Sequence, residues 1–168
     1  MYTSDIAVDD VINALAAFLA PFVPGGQVVR SQTNRVALPS NPCCVLTEIL
    51  MVDLSVPFTR YQGSAGTAQI YGPSRIDIQM DFYGVQAGEF CKTAKTALRS
   101  QWGFNAFPAN IRPLYTSDAV QAPLTTGEQQ YVSRWTATAH IQYNPTVTVP
   151  QDSATTLGPV GIVAADML

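Results

Sequence analysis

Between Gly127 and Asp152 the chain alternates apolar and polar positions for longer than anywhere else. Tyr131, Ser133, Trp135, Ala137, Ala139, Ile141 and Tyr143 fall on one side of an extended backbone. Val132, Arg134, Thr136, Thr138, His140 and Gln142 fall on the other. The pattern predicts one long strand, closed by Asn144-Pro145 because proline brings no N–H to a sheet ladder. At roughly 3.3 Å per residue it would reach on the order of 40 Å, about the full width of a compact domain of this size. A strand of that length bends, or leaves its own domain to meet something else.

Elsewhere the periodicity predicts two helices and several shorter strands. Val8, Val11, Ile12, Leu15, Phe18, Leu19 and Phe22 recur at helical spacing, with Ser4 or Asp5 as cap and Pro24-Gly25-Gly26 as stop. Gln27 to Arg30 suits a short strand. Residues 43–54 suit a strand covered on both faces, with Glu48 and Asp53 the exceptions. The polar, aromatic and glycine-rich stretch 58–73 predicts a hairpin arm tipped by Gly63-Ser64-Ala65-Gly66. From Arg75 to Tyr83, Ile76, Ile78, Met80 and Phe82 face a core and Asp77, Gln79 and Asp81 face outward. Gly84 breaks that strand. A second helix begins near Ala87, carries Phe90, Cys91, Ala94, Leu98 and Trp102 on one side, and ends at Gly103. Residues 104–126, with Pro108, Pro113 and Pro123, predict a long ordered surface loop. The expected fold is α+β: a mainly antiparallel sheet packed against two helices, with a hairpin arm and an extended C-terminal arm. Residues 1–143 form the domain and 144–168 the arm.

The composition changes the picture in one respect. Only 12% of residues are charged, about half the usual share, and small polar residues take their place. Interfaces between obligate partners are depleted in charge in the same way, although a low-charge monomer is also compatible. A net charge of −3 and the absence of a Lys/Arg cluster argue against tight DNA binding, which needs phosphate neutralisation. Three cysteines, two of them the adjacent pair Cys43-Cys44, form neither a disulfide framework nor a metal spacing, and are expected as buried thiols in a reducing compartment. The start of the chain has Asp5, Asp9 and Asp10 and no basic run, so no signal peptide is expected. The apolar stretch 11–23 is too short to span a membrane and is interrupted by Pro21.

Candidate chemistry is sparse. His140 is the only histidine, and no acid or nucleophile stands beside it by motif. Asp77 and Asp81 lie on one strand face about 13 Å apart, too far for a coupled carboxylate pair, and are expected as solvated residues. Gly84-Val85-Gln86-Ala87-Gly88 sits where a phosphate loop would, without its Lys-Ser/Thr or the third glycine of a dinucleotide site. No catalytic residue, cofactor site or metal site is assigned. Phe58, Tyr61, Tyr71 and Trp135 are aromatic candidates, either for anchoring a protein neighbour or for stacking a ligand.

Four stretches carry a family likeness: RIDIQMDFYG (Arg75 to Gly84), RPLYTSDAVQAPLTTGEQQYVSRW (Arg112 to Trp135), the strand beyond it, and NPTVTVPQDSA (Asn144 to Ala154). TNRVALPSNPCCVLTEI (Thr33 to Ile49) agrees more loosely, and the arm at 58–73 shows no match. In these words and their order the chain resembles the neck or tail-terminator proteins of contractile-tailed bacteriophages. The resemblance implies a structural virion protein that forms a six-fold ring on the tail tube and joins it to the head-side connector. Its implied partners are further copies of itself, the tail tube protein (with the sheath as a further candidate) and a neck or head-completion protein. Genomic DNA would pass through the lumen without specific binding, in a particle assembled in the host cytoplasm. Residues expected at subunit contacts or bracing them are Arg134, Trp135, Tyr131, Tyr143, Asn144, Pro145, Tyr61 and Tyr71. Asp77 and Asp81 are candidates for the lumen. The competing expectations are a head-completion or stopper ring, a tube subunit, and a small monomeric ligand-binding module.

Overall fold

The computed structural model describes residues 4–31, 40–122, 124–125 and 131–152. Helix α1 (Val8–Leu19) leads into strand β1 (Gln27–Arg30). Strands β2 (Cys43–Asp53), β3 (Phe58–Gln62), β4 (Thr67–Tyr71) and β5 (Ser74–Tyr83) follow, then helices α2 (Ala87–Leu98) and α3 (Gln101–Ala106). Strands β6 (Ile111–Thr116), β7 (Val120–Gln121), β8 (Leu124–Thr125), β9 (Tyr131–Val132), β10 (Arg134–Tyr143) and β11 (Thr146–Pro150) complete the chain. The architecture is α+β, with every strand pair antiparallel except β1 with β2.

The main sheet runs β1-β2-β5-β10-β6, with β7 beside β10. Strict alternation along β5 sends Ile76, Ile78, Met80 and Phe82 to one face, where all four are buried. Ala137, Ala139 and Ile141 of β10 and Cys44 and Leu46 of β2 share that face. Val11, Ile12, Leu15, Phe18 and Leu19 of α1 and Ala87, Cys91, Ala94 and Leu98 of α2 close over it. Small residues on both α2 and β10 let helix and sheet approach closely, and Gly88 is one of them: a Cβ there would stand 3.1 Å from the Trp135 indole, a tight contact. Burying each of the larger aliphatic or aromatic chains in this layer is worth about 1.5–3 kcal/mol.

The ends of the helices differ from the sequence expectation. Neither Ser4 nor Asp5 caps α1; Ala7 does, and its N–H donates to the Asp10 carboxylate at 2.8 Å. Ser4 and Asp5 bind β11 instead, Asp5 accepting from the Thr146 N–H at 2.6 Å. Gly103 does not stop the second helix. That helix ends at Leu98, and Gly103 lies inside α3, where Ser100 caps by accepting from its N–H at 3.1 Å. The segment 104–126 is not a plain loop, because it contains the end of α3, the edge strand β6 and the short strands β7 and β8. Pro113 conceals β6 from the sequence, yet it lies on an edge strand beside a register shift, where proline is tolerated.

The long strand is also divided. Among the described residues of 127–152 three strands occur, β9, β10 and β11, and the last joins a different sheet. That second sheet has the order β11-β4-β3. Each of its strands continues one strand of the main sheet: β2 runs into β3, β4 into β5 and β10 into β11, in the same lateral order. A proline stands at each crossing, Pro57, Pro73 and Pro145. Backbone bonds from Leu54 N–H to the Pro73 carbonyl (2.9 Å) and from Gly72 N–H to the Pro145 carbonyl (3.2 Å) hold the three crossings side by side. Three strands thus bend together out of the core layer to make one projecting arm. The arm tip is a single turn, Gly63–Ala65, closed by Gly66 in the left-handed region at φ 61.

Candidate assembly surface

The sheet face away from the helices carries the charged side chains of β5 and β10. Asp77 and Asp81 are buried there, 5% and 4% exposed, and are not the solvated residues their alternation suggests. Asp77 accepts from Arg75 Nε at 2.8 Å and lies 2.6 Å from Nδ1 of His140. The His140 ring in turn stacks on Tyr115 with centroids 4.1 Å apart. Asp81 accepts from Arg134 at 3.0 Å and from Gln79 Nε2 at 2.9 Å. Each carboxylate therefore has a guanidinium and a second polar partner, the condition for a buried charge to be tolerated. Both carboxylates are enclosed and paired within the chain.

Three thiols are sealed in the interior. Burial pushes the Cys44 thiol well above its ordinary value, and it raises Cys91 to about 11, opposed by nearby Lys95. Such thiols are protonated and inert.

Exposed apolar side chains gather along the second half of β2, in the β2–β3 connection and on the arm. The first four residues of β2 are buried, but Ile49, Leu50 and Met51 are about half exposed. Leu54, Val56, Phe58 and Tyr61 extend the exposed row through the β2–β3 connection and along β3, Val56 at 87% and Tyr61 at 69%. The expectation of a strand covered on both faces over 43–54 thus holds only for its first half. Among the described residues no strand pairs with the outer half of β2 on the side away from β5. No helix among them is long and apolar enough to cross a membrane.

Residues 9–165 match the sequence profile of the family described as "Phage neck terminator protein". The chain belongs to the phage neck terminator family. Among solved structures it is similar to the sheath/tube terminator, in its extended state, of an extracellular contractile injection system (PVC), determined by cryo-EM. The TM-score is 0.53 at 14% identity, with 97% of this chain and 65% of that chain covered. The likeness is one of fold, and this chain spans about two thirds of that protein's length. No curated protein sequence matches it.

Within this phage neck terminator family member, the residues singled out from the sequence fall into three places. Arg134 and Trp135 sit at the start of β10, the first paired with Asp81, the second packed against the core. Tyr143 is buried at the far end of β10, with its hydroxyl on Met51 Sδ at 3.2 Å, and packs inward as its place in the alternation predicts. Asn144 and Pro145 form the bend, where the Asn144 N–H donates to the Asn110 carbonyl at 3.1 Å. Tyr61 and Tyr71 are on the arm. Tyr61 is exposed, whereas Tyr71 is partly buried and stacks under Phe58 with centroids 4.7 Å apart. The Tyr131 side chain and the arm beyond Asp152 lie outside the described residues. The alternation rule missed Ile49 to Met51, Leu54 and Val56. The one available signal was Ser55-Val56-Pro57, a strand-ending triplet that contains an apolar residue with nothing to pack on.

Proposed function

We propose that this chain forms a hexameric ring that ends the tail tube of a contractile-tailed bacteriophage and joins the tube to the head-side connector. The observation that carries the reading is the family match over residues 9–165. The role is structural, not catalytic, and is played in the neck or tail of the virion after assembly in the host cytoplasm. The partners are other copies of the chain, the tail tube protein with or without the sheath, and a head-completion protein. The likeness to a protein described as a sheath/tube terminator supports a position at the end of the tube.

Low charge supports the passage of DNA without retention. Six chains at −3 each give 6 × (−3) = −18, so the ring as a whole repels a polyanion.

Size-exclusion chromatography with mass measurement tests the reading. A closed ring should have a mass of 6 × 18.1 = 108.6 kDa. Long cylinders would instead make it a tube subunit, and a monomer at every concentration would overturn the ring. Added to growing tubes, the purified ring should halt their elongation; a stopper protein that binds elsewhere in the neck would leave tube length unchanged. Removing residues 150–168 should abolish ring assembly, and an unchanged ring mass would exclude that segment from the contact.

A further inference from the structure

Trp102 is 63% exposed, yet its indole is held by Phe18 and Phe22, with ring centroids 5.5 and 6.4 Å away. A groove lies on each side of it. One, of about 410 Å³, runs between α1 and α3 and is lined by Ala14, Ala17, Phe18, Pro21, Trp102 and Ala106. Every lining residue of that groove among those described is apolar. The other, of about 530 Å³, lies between the indole and α2, with Phe22, Thr93 and Ala97 in its wall together with Lys92. The two grooves share the indole and so adjoin. Each is of the size of natural binding clefts, about 300–1,000 Å³. A rigidly held, exposed tryptophan is also the residue type that most often anchors a partner.

The chain itself contains a segment of matching chemistry. Residues 153–168, SATTLGPVGIVAADML, supply Leu157, Val160, Ile162 and Val163, then Asp166, and no lysine or arginine follows Arg134. Lys92 is exposed and has no ion-pair partner among the described residues, so the one acid of this segment meets the one cation of the groove wall. An extended run from Val163 to Asp166 covers about 10 Å, enough to pass from the apolar groove across the indole to Lys92.

The place where the segment begins selects whose groove it fills. Strand β11 runs from the bend, where Thr146 pairs with Tyr71, to the arm tip, where Pro150 pairs with Thr67. The Gln151 N–H then donates to the Gly66 carbonyl at 2.9 Å. The chain therefore passes Asp152 at the arm tip, heading away from its own helices. Sixteen further residues span on the order of 50 Å when extended, ample to reach a second copy. A segment leaving one end of the molecule and a groove on the helical layer are two different surfaces, as a head-to-tail ring contact requires.

We propose that residues 153–168 of one copy lie in the groove at Trp102 of the next, with Leu157 to Val163 between α1 and α3 and Asp166 beside Lys92. The inference rests on the ring reading and adds where that segment seats.

The test is a cross-link in the full-length chain carrying Ala17→Cys and Val160→Cys. Ala17 is exposed in the groove, and the three native thiols are buried and do not compete. A short bis-maleimide should give a ladder of linked oligomers from 2 × 18.1 = 36.2 kDa upwards. Val85→Cys in place of Ala17→Cys should give none, and equal ladders from both would overturn the contact as unspecific. Monomers with both cysteines consumed would put the segment in its own groove and overturn the inference. Rings that form normally yet give no link also overturn it and leave the ring reading standing. An unaltered chain that is monomeric at every concentration removes the ring reading, and the inference with it. Should the cysteine chain fail to fold, full-length Trp135→Phe leaves Trp102 as the one tryptophan. Its emission should move to shorter wavelength as rings assemble, and emission unchanged while ring mass appears overturns the proposal.

Discussion

Arg134 and Asp81 meet diagonally across the β5–β10 pair, 3.0 Å apart, with the carboxylate side chain 6% and the guanidinium 26% exposed. The arginine also lies over the Tyr83 ring, 5.8 Å from its centroid. The pair therefore secures the start of β10 to the middle of the sheet, and it does so where water has little access to screen it.

Removing the arginine should be costly in proportion. Arg134→Ala leaves Asp81 buried with only Gln79 as partner. The expected loss is about 2–3 kcal/mol, below the full cost of an orphaned buried charge because one partner remains. Urea denaturation measures it. In a double-mutant cycle with Asp81→Asn the two changes should couple by more than ~1 kcal/mol. A loss under ~0.5 kcal/mol would place the pair with ordinary surface ion pairs.

Gly103→Ala should destabilise the chain although it sits in a helix. Alanine normally gains about 0.5–1 kcal/mol over glycine there. Here its Cβ would stand 2.2 Å from the Ala97 carbonyl oxygen and 3.1 Å from the Leu98 Cα, both backbone atoms that cannot rotate away. The helix pair α2–α3 must separate, with an expected loss of about 2 kcal/mol or more. The melting temperature is the readout, and a rise would show that α3 is free to shift.

This glycine also shows where the sequence was and was not legible. Periodicity located α1, β5, the start of α2 and the hairpin tip, because each has one buried face and a glycine or proline boundary. It failed where two sequences look alike for different reasons. A glycine after an apolar helical run can be a stop or a close packing point, and only the neighbour at Ala97 distinguishes them. An aspartate that alternates with isoleucine can be solvated or ion-paired, and one partner of each, His140 for Asp77 and Arg134 for Asp81, lies far along the chain in β10. The apolar run of β2 can be core or interface. Its second half projects past the core, which pattern alone does not reveal. Pro113, one of the prolines that suggested a loop at 104–126, lies instead in an edge strand, and Pro145 stands at the bend through which β10 passes into β11.

Alkaline pH should weaken the fold through the buried thiols. The ordinary value is 9.0 and Cys91 is raised to about 11. Below pH 9 the thiol is neutral in the folded and unfolded chain alike, so its contribution is intact. Between about 9 and 11 the unfolded chain ionises while the folded one does not, and stability falls as pH rises through that window. Cys44, raised in the same direction, acts with it. The stability–pH curve of Cys91→Ala should be shallower over this range. Native protein should also resist alkylation at pH 8 until denatured.

The arm should open independently of the core. It has three strands and, among its described residues, Ala68 as the one fully covered side chain. A sheet of that size is marginal without support, so its amides should exchange by local opening rather than global unfolding. Hydrogen exchange should therefore be faster over β3, β4 and β11 than over β5 and β10. Phe58 stacks on Tyr71 at an interplanar angle of 9°, a contact worth about 0.5–1.5 kcal/mol beyond the area it buries. Phe58→Ala should accordingly speed exchange in the arm by about three- to tenfold and leave β5 unchanged, since 1.4 kcal/mol corresponds to a factor of ten. Equal acceleration in β5 would show that arm and core unfold as one unit, with the bend at Pro57, Pro73 and Pro145 coupling them rather than separating them.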